Sequence, residues 1–155
     1  MKTKLFLLSM IAAALASCEG PMGPQGEPGA PGEGVNWKIL YYTVRANDWH
    51  LVGGENELNS YYMYEFDEPE LSDFIYESGN VLGYIILNSG KSNETLSPLP
   101  YNIALGEGSG SNEFLWTENY FFDYMPGSVA FFVYYSDFNT EIKPPTCEFR
   151  LVMNW

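Results

Sequence analysis

The reactive side chains of this chain are few: one histidine, two cysteines and a run of carboxylates, set among many aromatic rings. His50 is alone, so no Ser-His-Asp array can be built around it, and neither HExxH nor CxxC occurs. Beside Trp49 at the start of a strand, His50 reads as a surface or packing residue. The densest acidic run is Glu65, Asp67, Glu68, Glu70 and Asp73. Converging carboxylates would suit Ca²⁺, which takes many oxygen ligands. This run lacks the glycine-pivoted spacing of a calcium loop and reads as a solvated acidic edge, with Asp67 or Glu68 favourable near a helix N-terminus. No metal or cofactor is expected. Two carboxylates at the right separation could cleave a glycoside, but twenty acidic residues make such pairs unavoidable. Twelve tyrosines and four tryptophans point to carbohydrate, because sugar rings stack on exposed aromatic faces. The candidate glycan contacts are Trp49, beside a turn, and Tyr61 and Trp116, on outward strand faces. Most other aromatics alternate into core positions. The loop 106–111 is glycine-rich but has no phosphate-loop lysine, and reads as a hairpin tip.

The two cysteines have different settings. Cys147 falls in the register Cys147, Phe149, Leu151, Met153, Trp155, an apolar strand face on which a buried thiol is inert. Cys18 ends a different kind of segment. Lys2 and Lys4 are followed by an uncharged run from Leu5 to Leu15 and then by small residues, the pattern of a secretory signal. The run is too short to span a bilayer, which needs roughly 20 apolar residues. Leu15-Ala16-Ser17-Cys18 resembles the lipobox of bacterial lipoproteins. That resemblance implies a diacylglycerol on the Cys18 thiol, cleavage before Cys18 and acylation of the new amino group. Stable anchoring takes more than one acyl chain, since each buried CH₂ contributes only ~0.8 kcal/mol. With Cys18 consumed, Cys147 has no intrachain partner.

Glycine recurs at Gly20, Gly23, Gly26, Gly29 and Gly32, and prolines fill the same stretch. This is the collagen period, in which only glycine fits the axis of three packed chains. Two readings compete: a semi-rigid polyproline-like spacer, or a short triple helix holding a homotrimer. So few triplets would not trimerise alone, but a trimeric head could raise their local concentration. At ~3 Å per residue the segment extends roughly 45 Å. The expected organisation is a signal at 1–17, a lipidated cysteine and spacer at 18–34, and a body at 35–155. Loss of Lys2 and Lys4 with the signal leaves five basic against twenty acidic residues, a net charge of −15. Such a body repels nucleic acid and anionic membrane surfaces.

The body alternates apolar and polar residues between Gly, Pro, Asn and Asp breaks, an all-β pattern. Candidate strands lie at 37–45, 49–52, 60–67, 81–88, 96–105, 113–124, 129–136 and 146–155. Pro126-Gly127 should turn a hairpin between two of them. Residues 69–78 read as one short helix, with Pro69 in its first turn, Leu71, Phe74 and Ile75 on one face, and Gly79 past its end. The strand at 129–136 is apolar on both faces, so it should be central and covered on both sides. The expected fold is a two-sheet antiparallel sandwich or jelly roll with one helix.

The lipobox, the run Cys18-Glu19-Gly20-Pro21-Met22-Gly23-Pro24, the body segments Asp48-Trp49, Leu58-Asn59-Ser60-Tyr61 and Asp123-Tyr124-Met125-Pro126-Gly127-Ser128, and Asn154-Trp155 together resemble the collagen-like lipoproteins of Bacteroides-type gut bacteria. The resemblance implies the outer membrane or cell envelope, with Glu19 favouring surface export. It carries over no activity. The leading expectation is a non-enzymatic envelope protein whose β domain binds a glycan or protein while held off the membrane. The alternatives are a trimeric structural head and stalk, or a carbohydrate-active enzyme using paired carboxylates.

Overall fold

The computed structural model describes residues 34–110 and 113–155. The signal, Cys18 and the glycines Gly20, Gly23, Gly26, Gly29 and Gly32 lie outside the described residues. Alternating side chains and frequent turn residues produce nine strands: β1 Trp37–Val44, β2 His50–Val52, β3 Tyr61–Glu68, β4 Asn80–Leu87, β5 Thr95–Pro98, β6 Tyr101–Glu107, β7 Phe114–Met125, β8 Gly127–Tyr135 and β9 Cys147–Asn154. A helix, α1 Asp73–Ser78, joins β3 to β4. The strands form a four-stranded sheet, β1-β9-β4-β5, and a five-stranded sheet, β2-β3-β8-β7-β6, antiparallel at every pairing. The two sheets pack face to face as a sandwich.

The inner faces follow the period of two. Phe149, Leu151 and Met153 of β9 meet Val129, Phe131 and Val133 of β8, all fully buried. Phe131 and Phe149 stack across the sheets with centroids 4.1 Å apart. Trp49 caps one end, its ring edge-on to Phe149 and its Nε1 donating to the Pro145 carbonyl at 3.0 Å. The loop between β8 and β9 is pinned to the same end. Tyr62 donates to the Thr140 carbonyl at 2.6 Å, and Thr140 N donates to the Asn56 side chain at 2.8 Å.

Pro126-Gly127 turns the β7–β8 hairpin, with Met125 opposite Ser128 and Gly127 at φ +87°. Three expectations need correction. The run 96–105 is two strands in different sheets: Pro98 and Pro100 bring no N–H to a ladder, and the chain changes sheet between them. The helix starts later than Pro69, because the Ser72 hydroxyl caps it by accepting from Ile75 N. Leu71 and Ile75 are buried as expected, but Phe74 is exposed, since Leu71 precedes the helix and sets no helical face with it. Finally, β8 is central but has no layer over its outer face, where Ala130, Phe132 and Tyr134 are only half-buried.

Candidate functional site

The uncovered face of β8 is where aromatic side chains gather. Backbone register puts Phe121, Phe132 and Met63 in one cross-strand row on the outer side of the five-stranded sheet. Tyr134 and Asn119 form the next row, and Asp123 and Ala130 the row on the other side. Tyr61 extends the Tyr134 row: the two rings stack with centroids 4.7 Å apart at 25°. Phe121 stands edge-on to Tyr134 at 5.6 Å, and Phe132 is 5.9 Å from Tyr61. Tyr61, Asn119, Phe121, Asp123, Phe132 and Tyr134, with Ser136 and Phe138, line an open groove of about 610 Å³. A smaller depression of about 190 Å³ continues along the same face past Asp123 and Phe132 to Glu65 and Ser128.

Polar groups in the groove are held in place. Asn119 Nδ2 donates to the carbonyls of Thr117 and Tyr134, both at 3.2 Å, which fixes the amide. Burial raises the Tyr134 phenol above its ordinary value, with Tyr61 and Asp123 adding to the effect, so it is a neutral hydroxyl at physiological pH. Apolar walls with a few fixed polar groups are the usual makeup of a small-ligand site.

Of the three aromatics expected to touch a glycan, the fold brings only Tyr61 into this groove. Trp49 is 1% exposed and belongs to the core, because the chain crosses between sheets there and its indole plugs the end of the sandwich. Trp116 shares strand parity with inward-facing Tyr120, so it faces between the sheets rather than outward. It stacks on Phe114 at 5.9 Å, and both border a smaller cleft of about 190 Å³ with Glu107, Glu118 and Asp137. Phe121, Phe132, Tyr134 and Asn119 had no place in the expected site. For Phe132 and Tyr134 the signal is the two-sided apolar pattern of β8, which signifies an outer aromatic face rather than a covering layer; Phe121 and Asn119 of β7 join them through strand register.

The acidic run disperses. Glu65 and Asp67 point outward from β3, whereas Glu68 is buried and accepts from the Tyr42 hydroxyl at 2.5 Å and from Glu70 N at 3.2 Å. Glu68 is therefore a buried acceptor rather than part of a solvated edge. Glu70 pairs with Lys38, and Asp73 sits in the first turn of α1. Among the described residues no three His, Cys, Asp or Glu side chains converge to hold a metal ion. His50 is exposed and lies parallel to Tyr64 at 5.9 Å. Cys147 is buried, its thiol pushed up to about 12, first by burial and then by Glu118. No described helix is long and apolar enough to cross a membrane. Comparison with protein-family models, with curated proteins and with solved structures gives no match.

Proposed function

We propose that this chain is a cell-envelope lipoprotein, anchored through Cys18, whose sandwich binds a neutral glycan without transforming it. The observation that carries this reading is the Tyr61–Tyr134 stack beside Phe121 and Phe132, open to solvent on a sheet face that a sandwich has no structural need to make aromatic. The apolar C–H faces of sugar rings fit such a platform, while Asn119, Asp123 and the tyrosine hydroxyls suit sugar hydroxyls. The net charge of −15 disfavours anionic ligands. The second depression along the strands suits a chain of several sugars rather than a single one. The lipobox and the glycine-proline spacer support display away from a bilayer, which is where such a ligand would be met.

Calorimetric titration with neutral oligosaccharides tests the site. Tyr61→Ala and Tyr134→Ala are each expected to weaken binding about tenfold or more, equivalent to about 1.4 kcal/mol, and Trp116→Ala to change it little. Absence of binding across the panel, or binding indifferent to both tyrosines, rejects the site. The anchor is tested by labelled-palmitate incorporation, which Cys18→Ala should abolish.

The smaller cleft favours one second reading. Glu107, Glu118 and Asp137 beside Trp116 and Phe114 would suit a carbohydrate-active enzyme. Hydrolysis of a glycan panel that disappears in Glu118→Gln or Asp137→Asn would establish it.

A further inference from the structure

We infer that the outward face of the four-stranded sheet is an interface between copies of this chain, and that the assembly is a trimer gathered around β1. This inference does not depend on the glycan. The outer face of a sandwich sheet ordinarily alternates to polar residues. Here the cross-strand row Ile39–Val152–Leu82 is wholly apolar, and Trp37 and Tyr41 flank Ile39 on the edge strand. Trp37 is 65% exposed and Tyr41 67%. Tyr84 and Leu96 continue the patch toward the far edge. Val152 is itself covered by its neighbours, but Trp37, Ile39, Tyr41, Leu82 and Leu96 are exposed, and apolar residues grouped in this way on one face mark an interaction surface.

The sequence outside the described residues names the occupant. Glycine at every third position from Gly20 to Gly32 is the pattern that lets three chains pack at one axis. β1 begins three residues after Gly34, a span of at most ~11 Å. Three chains joined through their triplets would thus deliver three copies of β1 to one place by covalent connection alone. The triplets are too few to hold without help, and an apolar head interface would supply that help by local concentration.

Charge points the same way. Copies of a body with net charge −12 over residues 35–155 repel one another. Across all four strands of this sheet the only carboxylate is Glu148, which accepts a hydrogen bond from Ser89. The same face carries Arg150, its guanidinium 6.0 Å from the Tyr41 ring centroid. Approach of a second copy over this face therefore meets little carboxylate charge.

Sedimentation of the detergent-solubilised full chain should give the mass of three chains. The double variant Trp37→Glu, Tyr41→Glu should give one, with unchanged circular dichroism. A monomeric or dimeric parent, or a trimer that the double variant leaves intact, overturns the inference. Should the double variant fail to fold, single cysteines decide. A trifunctional maleimide should link three chains through Ile39→Cys and none through Ala104→Cys on the opposite sheet, with the unsubstituted chain as blank. Equal linking from both positions, or none from Ile39→Cys, equally overturns it.

Discussion

A carboxylate inside a sandwich must find donors, and Glu68 finds two: the Tyr42 hydroxyl from the facing sheet and the backbone N–H of Glu70. Removing one partner leaves the buried oxygen unsatisfied, which costs more than the bond itself contributed. Tyr42→Phe is therefore expected to lower stability by about 1–3 kcal/mol, read from the urea midpoint. A loss within error would show that water replaces the hydroxyl. Cys147 illustrates the opposite case, a polar atom made harmless by its surroundings. Its thiolate is disfavoured by burial and by Glu118, so the thiol keeps its proton up to about 12. In native protein a thiol reagent at mildly alkaline pH should leave Cys147 unmodified, and should react with it once urea unfolds the chain. Rapid labelling of the native form would contradict its buried placement.

At the level of strands and turns, a glycine permits close approach between the sheets. A Cβ on Gly83 of β4 would meet the Phe122 ring at 2.6 Å. Gly83→Ala should overpack this contact and cost about 1–3 kcal/mol, measured by thermal or urea unfolding. Gly127→Ala meets no steric neighbour, yet its φ of +87° disfavours a side chain, for a cost of about 1–2 kcal/mol. Strand pattern was readable from the sequence wherever one face was buried. β9 shows it plainly, with Cys147, Phe149, Leu151 and Met153 all inside. The pattern misleads where an apolar residue is not buried under another layer. Phe132 and Tyr134 are apolar because they form an outer aromatic face, and periodicity cannot separate that from a covered one. Trp49 and Trp116 depart from their expected faces for a related reason. Their orientation is set by where the chain changes sheet and by strand parity, which depend on pairings between distant segments. The helix starts after Pro69 because the Ser72 hydroxyl caps it.

For the whole molecule, alkaline pH acts on stability through buried tyrosines. Tyr42, Tyr120 and Tyr135 all have phenols raised above the ordinary 10.0, chiefly by burial. For each, the native state holds its proton after the unfolded chain has begun to lose it. Their stabilising effect is whole below pH 10 and is lost as pH rises through the raised native values. Each contributes a slope of about 1.4 kcal/mol per pH unit, so the urea midpoint should hold steady from neutral pH to about 9 and fall steeply above about 10. A flat profile to pH 12 would mean that these phenols ionise as readily folded as unfolded. A different consequence follows from the pairing of β1 with β9. Their partners lie more than a hundred residues apart, Trp37 against Asn154 among them. The first strand of the described body thus has no ladder until the last one arrives, and contacts of such long sequence separation form slowly. A chain threaded through a membrane from its N-terminus would emerge with β1 idle, its four-stranded sheet unable to close while β9 was still in transit. The order of strands thus makes closure of the four-stranded sheet wait on β9 at the far end of the chain, while the five-stranded sheet can pair without it.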